Sequence, residues 1–169
     1  MNADELKALQ SPLKQQYKEK PETALITLKA QGRIGEGITC KVDTGRAIAE
    51  AGLHPATGGD GLSLCSGDML LEALVACAGV TLRAVATATG VDLQDAVIRA
   101  EGDLDFRGTL SVAKDAPVGF KSIRLHFDLK SQADAEQLSS LMKLTERYCV
   151  VYQTLARSPD IHVEYVAAP

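Results

Sequence analysis

The chain has 169 residues, 46% of them hydrophobic and 24% charged, enough to bury a substantial core within one compact domain. A formal net charge of −4, no concentrated Lys/Arg run and no Trp argue against a nucleic-acid partner, whose binding relies on a basic footprint. Four cysteines, none paired at C-x-x-C spacing, suggest neither a disulfide scaffold nor a zinc site.

The N-terminus lacks a basic leader followed by an apolar stretch, so the cytoplasm is the expected location. In that reducing compartment a disulfide would be transient and catalytic rather than structural. Residues Asp4 to Lys18 have helical composition but contain Pro12, which predicts a short or broken amphipathic helix packing on a partner. Ala24–Ala30 and Gly37–Asp43 read as two strands joined by a turn at Gly32 to Gly35. In the second, Ile38, Cys40 and Val42 share a face, making Cys40 a small core residue. From Gly52 to Gly61 the chain is rich in Gly, Pro, Asp and Thr, the composition of a loop.

A long helix follows. Ser66 reads as its N-cap, Asp68 as a favourable charge in the first turn, and Gly90 as its stop. Running from Gly67 to Thr89 it would be about 35 Å long at roughly 1.5 Å per residue. Apolar on nearly every side, it is expected to be buried all round, with Cys77 near its middle. Its small residues, among them Ala73, Ala76, Gly79 and Ala84, would let another helix approach closely. Glu72 and Arg83 leave only ten uncharged residues between them, whereas a bilayer span needs roughly 20, so no membrane segment is expected.

Beyond Gly90 strands return. Ala96 to Phe106 alternates loosely, weakened at Gly102, and Lys121 to Lys130 alternates strictly, with Ile123, Leu125, Phe127 and Leu129 facing a core and His126 on the polar face. Ser131 with Asp134 resembles a capping box, and Ala135, Leu138, Leu141, Met142 and Leu144 trace an amphipathic helix toward Arg147. Cys149 begins a new short segment, and Ile161 to Val166 reads as a closing strand. His54 and His162 have no metal-ligand spacing with any cysteine or carboxylate. Helices on one face of antiparallel sheet describe an α+β fold. Residues alone leave Cys77 as either an inert core thiol or a shielded redox thiol.

The run Ser66-Gly-Asp-Met-Leu-Leu-Glu-Ala-Leu-Val-Ala-Cys77, continued by Thr81-Leu-Arg83, resembles the central-helix signature of the OsmC/Ohr family of thiol-dependent peroxidases. About seventy residues later Glu146-Arg-Tyr-Cys149, with Thr154-Leu155, is similar to that family's second cysteine motif. The resemblance covers roughly residues 24 to 166. It implies an OsmC-like single domain over residues 1–169: a helical extension at 1–20, strands and loop at 21–64, the central helix at 65–90, and strands and helix at 91–169. It also implies an intertwined homodimer, two long central helices wrapped by antiparallel sheets, with sites at the subunit interface.

By the same resemblance Cys77 is the peroxidatic thiol, attacking an organic hydroperoxide, and Cys149 the resolving thiol. The disulfide they form is reduced by an external dithiol, with no metal or organic cofactor. The family holds its thiolate with an arginine positioned by a glutamate. Arg33 best resembles that arginine, Arg46 is the second choice, and Gly67 stands at the glutamate position, one residue before Asp68. Val150 replaces the proline that commonly follows the second cysteine. Cys65, in the loop before the helix, is a bland loop cysteine or an alternative resolving thiol. Two further readings compete: a family member with weak or no peroxidase activity that binds an apolar or thiol-bearing small molecule at the dimer interface, and a structural module with inert thiols.

Overall fold

The computed structural model describes residues 3–34, 40–42, 51–62 and 64–167. Helix α1 runs unbroken over Ala3–Glu19 with Pro12 inside it, where a break was expected. A proline in a helix interior forfeits one backbone bond at a cost of about 3 kcal/mol. Docking onto the chain itself offsets that: Tyr17 is buried, its hydroxyl donates to the Ala56 carbonyl at 2.7 Å, and the Gln10 side-chain amide donates to the Thr57 carbonyl at 3.2 Å.

After a 3-10 turn at Pro21–Ala24, β1 spans Leu25–Ile34 and β2 spans Cys40–Val42, antiparallel, with Gly32 opposite Val42 and Ile34 opposite Cys40. The expected pair of strands is present. The reversal lies later than predicted, because Gly32, Arg33 and Ile34 belong to β1, where they pair with β2. Gly35, Ile38, Thr39, Asp43 and Arg46 fall outside the described residues.

The predicted loop contains β3 at Ala51–Gly52 and a 3-10 turn at Pro55–Thr57. Strand β4, Leu64–Cys65, runs parallel to β3. Pairing of Cys65 with Gly52 keeps the chain extended up to residue 65, so helix α2 is Ser66–Thr89 and its N-cap is Cys65, not Ser66. No side-chain capping bond forms there, and Asp68 sits in the first turn. At the other end Gly90 adopts φ 70°, the left-handed conformation that stops a helix, as expected.

Strand β5 covers Leu93–Asp105 and pairs with β1; β6 covers Phe120–Ser131 and pairs with β5, giving one antiparallel sheet in the order β2-β1-β5-β6. Between β5 and β6 lies the single turn α3, Phe106–Thr109, capped by the buried Asp105. Helix α4, Ala135–Tyr148, begins with a capping box formed by Asp134 and Gln137, not by Ser131. Ser131 remains in β6, its hydroxyl donating to the Asp92 carbonyl and accepting from the Ala133 amide. Cys149 closes α4 and opens α5, Val150–Ala156.

Helix α2 lies across β1 and β5 with α4 and α5 beside it. Leu71, Leu74, Val75, Ala78, Leu82 and Ala86 fall on its inner side and meet Ile98, Ala100, Leu141 and Cys149 in one core. Each such side chain contributes about 1.5–3 kcal/mol when fully buried. The other side of α2 is uncovered in the single chain: Leu70 and Val80 are each 37% exposed, and Ala73 and Thr87 are exposed with them. The expectation of a helix buried all round is therefore corrected, since the sheet and helices α4 and α5 pack on its inner side and leave these residues exposed. By length and composition α2 would suffice to cross a bilayer, despite Glu72 and Arg83. Here its inner face forms the core of the domain.

The predicted closing strand is absent. Ile161 to Val166 carries no regular structure, with Ile161 77% and Tyr165 90% exposed. Its alternation is that of a strand, but in the described chain no sheet edge receives it.

Candidate active site

Cys77 is half-buried at the border between the inner face of α2 and the exposed stripe of Ala73 and Val80, and packs against the core that contains Cys149. Cys149, at that junction, is 1% exposed. Seventy-two residues apart in sequence, the two thiols are hydrogen-bonded to each other and are unlinked by a disulfide. The fold brings them together by packing α4 and α5 directly on α2.

Four donors converge on the Cys77 sulfur: the Val151 amide, the Cys149 thiol, the Thr81 hydroxyl and the Val150 amide. Burial alone pushes the Cys77 thiol up, and is the largest single effect. Together the four hydrogen bonds outweigh it and hold the thiol below its ordinary value of 9.0. Cys149 moves the other way, pushed up to about 11 by burial first and then by its bond to Cys77 and the charge there, against an opposing bond from the Tyr152 amide. The pair thus has a defined polarity. Cys77 ionises before Cys149.

Arg33 is placed elsewhere. On β1, 63% exposed, it forms an ion pair with Asp95 at 3.1 Å, and among the described residues no cation is one of the groups that shift Cys77. Cys65 is separated from Cys77 by twelve helical steps, about 18 Å along the α2 axis. A disulfide requires Cα atoms within about 7 Å, so Cys65 cannot resolve Cys77 within one chain while α2 is intact. Cys40 occupies β2, its backbone opposite Ile34. His126 is exposed on β6, as expected.

Thr81 and the amides of Val150 and Val151 are site groups to which the sequence reading gave no role. Thr81 had a signal, since a residue four places beyond Cys77 on a helix is its neighbour. Backbone amides leave none. Nearer the start of α2, His54 stacks on Phe106 at 5.0 Å between ring centroids, its Nδ1 accepting from the Ala56 amide at 3.0 Å. Burial lowers His54 and the charge of Asp68 opposes it, while Asp68 is raised by burial against the pull of His54. Among the described residues no three His, Cys, Asp and Glu side chains gather as a metal site.

A groove of about 590 Å³ opens between β6 and helices α4 and α5, and neither cysteine lines it. Phe120, Ile123, Leu125, Phe127, Met142, Leu74 and Tyr152 line it together with the polar Lys121, Ser122 and Glu146.

Residues 58–164 match the family of OsmC-like proteins, a stretch that carries both thiols and α2, and the chain belongs to that family. Among solved structures it is similar to an OsmC-like hydroperoxide resistance protein from Jannaschia sp. CCS1, with 19% identity over 86% of this chain and 97% of that one and a TM-score of 0.62. It is also similar to an OsmC-like protein from Mycoplasma pneumoniae, with 15% identity over 79% and 86% of the two chains and a TM-score of 0.55. At these identities the likeness is one of fold. No curated relative matches the chain.

Proposed function

We propose that this protein is a cysteine-based peroxidase that reduces organic hydroperoxides to alcohols in oxidative-stress defence. The observation that carries the reading is the polarised thiol pair, with Cys77 low, Cys149 high, and the two hydrogen-bonded. Family membership and a structural neighbour named for hydroperoxide resistance support it at the level of the family.

The Cys77 thiolate attacks the outer oxygen of ROOH. The O–O bond breaks, the alkoxide takes a proton to leave as ROH, and Cys77 is oxidised to a sulfenic acid. That step removes the negative charge that helped keep Cys149 protonated. Cys149 then releases its proton and attacks the sulfenic sulfur, forming the Cys77–Cys149 disulfide and water. A dithiol donor returns both sulfurs to the reduced state, its own sulfurs becoming a disulfide. The groove between β6 and helices α4 and α5 has apolar residues that suit an organic tail.

The active form is a homodimer in the cytoplasm. Two features support the dimer: the stripe of Leu70, Ala73 and Val80 on α2, and the uncovered apolar residues of 161–166, which a second copy would bury. Of the two arginines that the resemblance offers for the thiolate, Arg33 and Arg46, Arg33 would have to leave Asp95 to take that role.

After one equivalent of cumene hydroperoxide, mass spectrometry of the protein is expected to show a Cys77–Cys149 linkage, lost in Cys77→Ser. The size and apolar wall of the groove favour one alternative, a non-enzymatic member that binds an apolar or thiol-bearing molecule there. A chain whose thiols survive the peroxide while a hydrophobic fluorophore binds would establish that reading instead.

A further inference from the structure

The Pro55–Thr57 turn is where the chain holds helix α1. Tyr17 donates its hydroxyl to the Ala56 carbonyl at 2.7 Å and the Gln10 side-chain amide donates to the Thr57 carbonyl at 3.2 Å, so two polar anchors of α1 land on this one turn. His54 fixes the turn. Its carbonyl accepts from the Thr57 amide at 2.8 Å, the Thr57 hydroxyl at 2.9 Å and the Gly59 amide at 3.1 Å, and its Nδ1 caps the turn by accepting from the Ala56 amide at 3.0 Å. The Phe106 ring stacks on the imidazole at 5.0 Å between centroids and holds it in that orientation. A peptide N–H can only donate, so the Nδ1 that faces it carries a lone pair and no proton. A proton there would set two donors against each other.

We propose that His54 is a pH-sensitive latch for α1: a proton taken from solvent onto Nδ1 breaks the bond to the Ala56 amide, loosens the Pro55–Thr57 turn and so releases Tyr17 and Gln10. Release uncovers the small core of Ala24, Phe106 and Leu110 that Tyr17 closes. The charged surroundings set the direction. From α2, Asp68 acts on the imidazole and favours its charged form, while Glu72, one turn further on, is raised by burial and then by the charge of Asp68. From α3, Asp105 and Arg107 are committed to each other in an ion pair at 2.5 Å, and α1 brings the Tyr17 hydroxyl and the uncharged Gln10. Burial outweighs Asp68 and holds His54 below its ordinary 6.5. A base depressed in the fold stabilises it above 6.5 and ceases to as pH falls through the lowered value, so the latch is closed at neutral pH and opens in mild acid. Once charged, the imidazolium has the Asp68 carboxylate as its partner, which favours the open arrangement.

Amide hydrogen exchange of the full-length chain, read by peptide mass spectrometry from about pH 7.5 down to about pH 4.5 and corrected for intrinsic exchange rates, tests this directly. Loss of one cap is expected to speed exchange in the α1 peptides about 3–30-fold at the acid end, with the peptides of α2 keeping their protection. His54→Asn supplies a side-chain oxygen that caps the same amide and does not titrate, so its α1 protection is expected to be independent of pH over that range. A wild type whose α1 protection does not change with pH overturns the proposal. So does a His54→Asn chain that keeps the wild-type response, or a loss of protection that reaches α2 together with α1.

If circular dichroism shows His54→Asn unfolded, Asp68→Asn decides. Without the carboxylate that favours the imidazolium, His54 takes up its proton at lower pH. A midpoint of α1 release that moves to lower pH in Asp68→Asn supports the proposal, and a midpoint that stays where the wild type has it overturns it. The latch does not depend on the thiol chemistry, so a chain that fails to consume cumene hydroperoxide and still releases α1 in acid ends the peroxidase reading alone.

Discussion

Replacing Cys149 with alanine removes the buried thiol that donates to Cys77 while leaving the backbone of the α4–α5 junction in place. Two consequences can be sized. Cys149 is 1% exposed and packed in the main core, so loss of its sulfur leaves a void about the size of a methyl group, costing ~1 kcal/mol. For a chain of this length that lowers the melting temperature by about 2–4 °C. Cys77 also loses one of its four donors, and a bond worth about 1 kcal/mol corresponds to a roughly fivefold smaller thiolate fraction on the acid side of its titration.

The chemical consequence is larger than either. Without Cys149 the sulfenic acid loses the thiol packed beside it, and Cys65 lies about 18 Å away along α2. One equivalent of cumene hydroperoxide should then yield a species trapped by dimedone at Cys77, and excess peroxide should drive it to the irreversible sulfinic acid. Stopped-flow consumption of the first equivalent should survive, slowed about fivefold near neutral pH, while dithiol-supported turnover collapses. Full turnover in Cys149→Ala, or a disulfide from Cys77 to Cys65 in its place, would refute the pairing.

Gly102→Ala places a new Cβ 2.4 Å from the Phe120 ring, which lies over this glycine across β5 and β6. The ring must swing toward the groove, so a loss of about 1–3 kcal/mol is expected in urea unfolding; an unchanged midpoint would mean the ring moves freely. Leu82→Ala, at a fully buried position of α2, should cost about 3–5 kcal/mol by the same measurement. Asp105 is held below the ordinary 3.8 chiefly by the Arg107 side chain. A depressed carboxylate stabilises the fold above its unfolded value and ceases to as pH falls through its folded one, so Asp105→Asn should flatten the acid limb of a stability profile below about pH 4. The thiols have opposite signs. Cys77 adds stability above pH 9.0 that is lost as pH falls through its depressed value, while the contribution of Cys149 is complete below 9.0 and lost as pH rises through about 11. Chemical denaturation of Cys149→Ala against wild type between pH 8 and 12 should show the second effect, with the difference in stability shrinking toward pH 12.

What could be read from the sequence was periodic or typed. The alternation of residues 121–130 gives β6 and its inward face, Gly90 the end of α2, and two cysteine-bearing motifs the thiol pair. Caps were misread by register: Ser66 and Ser131 have the chemistry of an N-cap, but strand pairing at Cys65 and Ser131 sets where each following helix can begin. Pro12 predicted a break that tertiary docking through Tyr17 overrides. Composition makes α2 look buried on all sides, because apolar residues around a helix do not say which face the core takes.

The activation of Cys77 was the least legible feature, for a reason that generalises. A search for charge finds side chains, and it led to Arg33, whose partner is Asp95. The donors that converge on the sulfur are two amides, a thiol and a hydroxyl. Amides carry no letter in the sequence; the one visible trace is negative, a residue at position 150 that is not proline. If these donors suffice, Arg33→Ala should leave the pH dependence of Cys77 alkylation unchanged. An anion held by neutral dipoles is little screened by ions, whereas one held by an exposed cation is screened strongly. Alkylation of wild type at pH 7 should therefore vary less than about twofold between low and physiological salt. A steep decline with ionic strength would restore the arginine to the site.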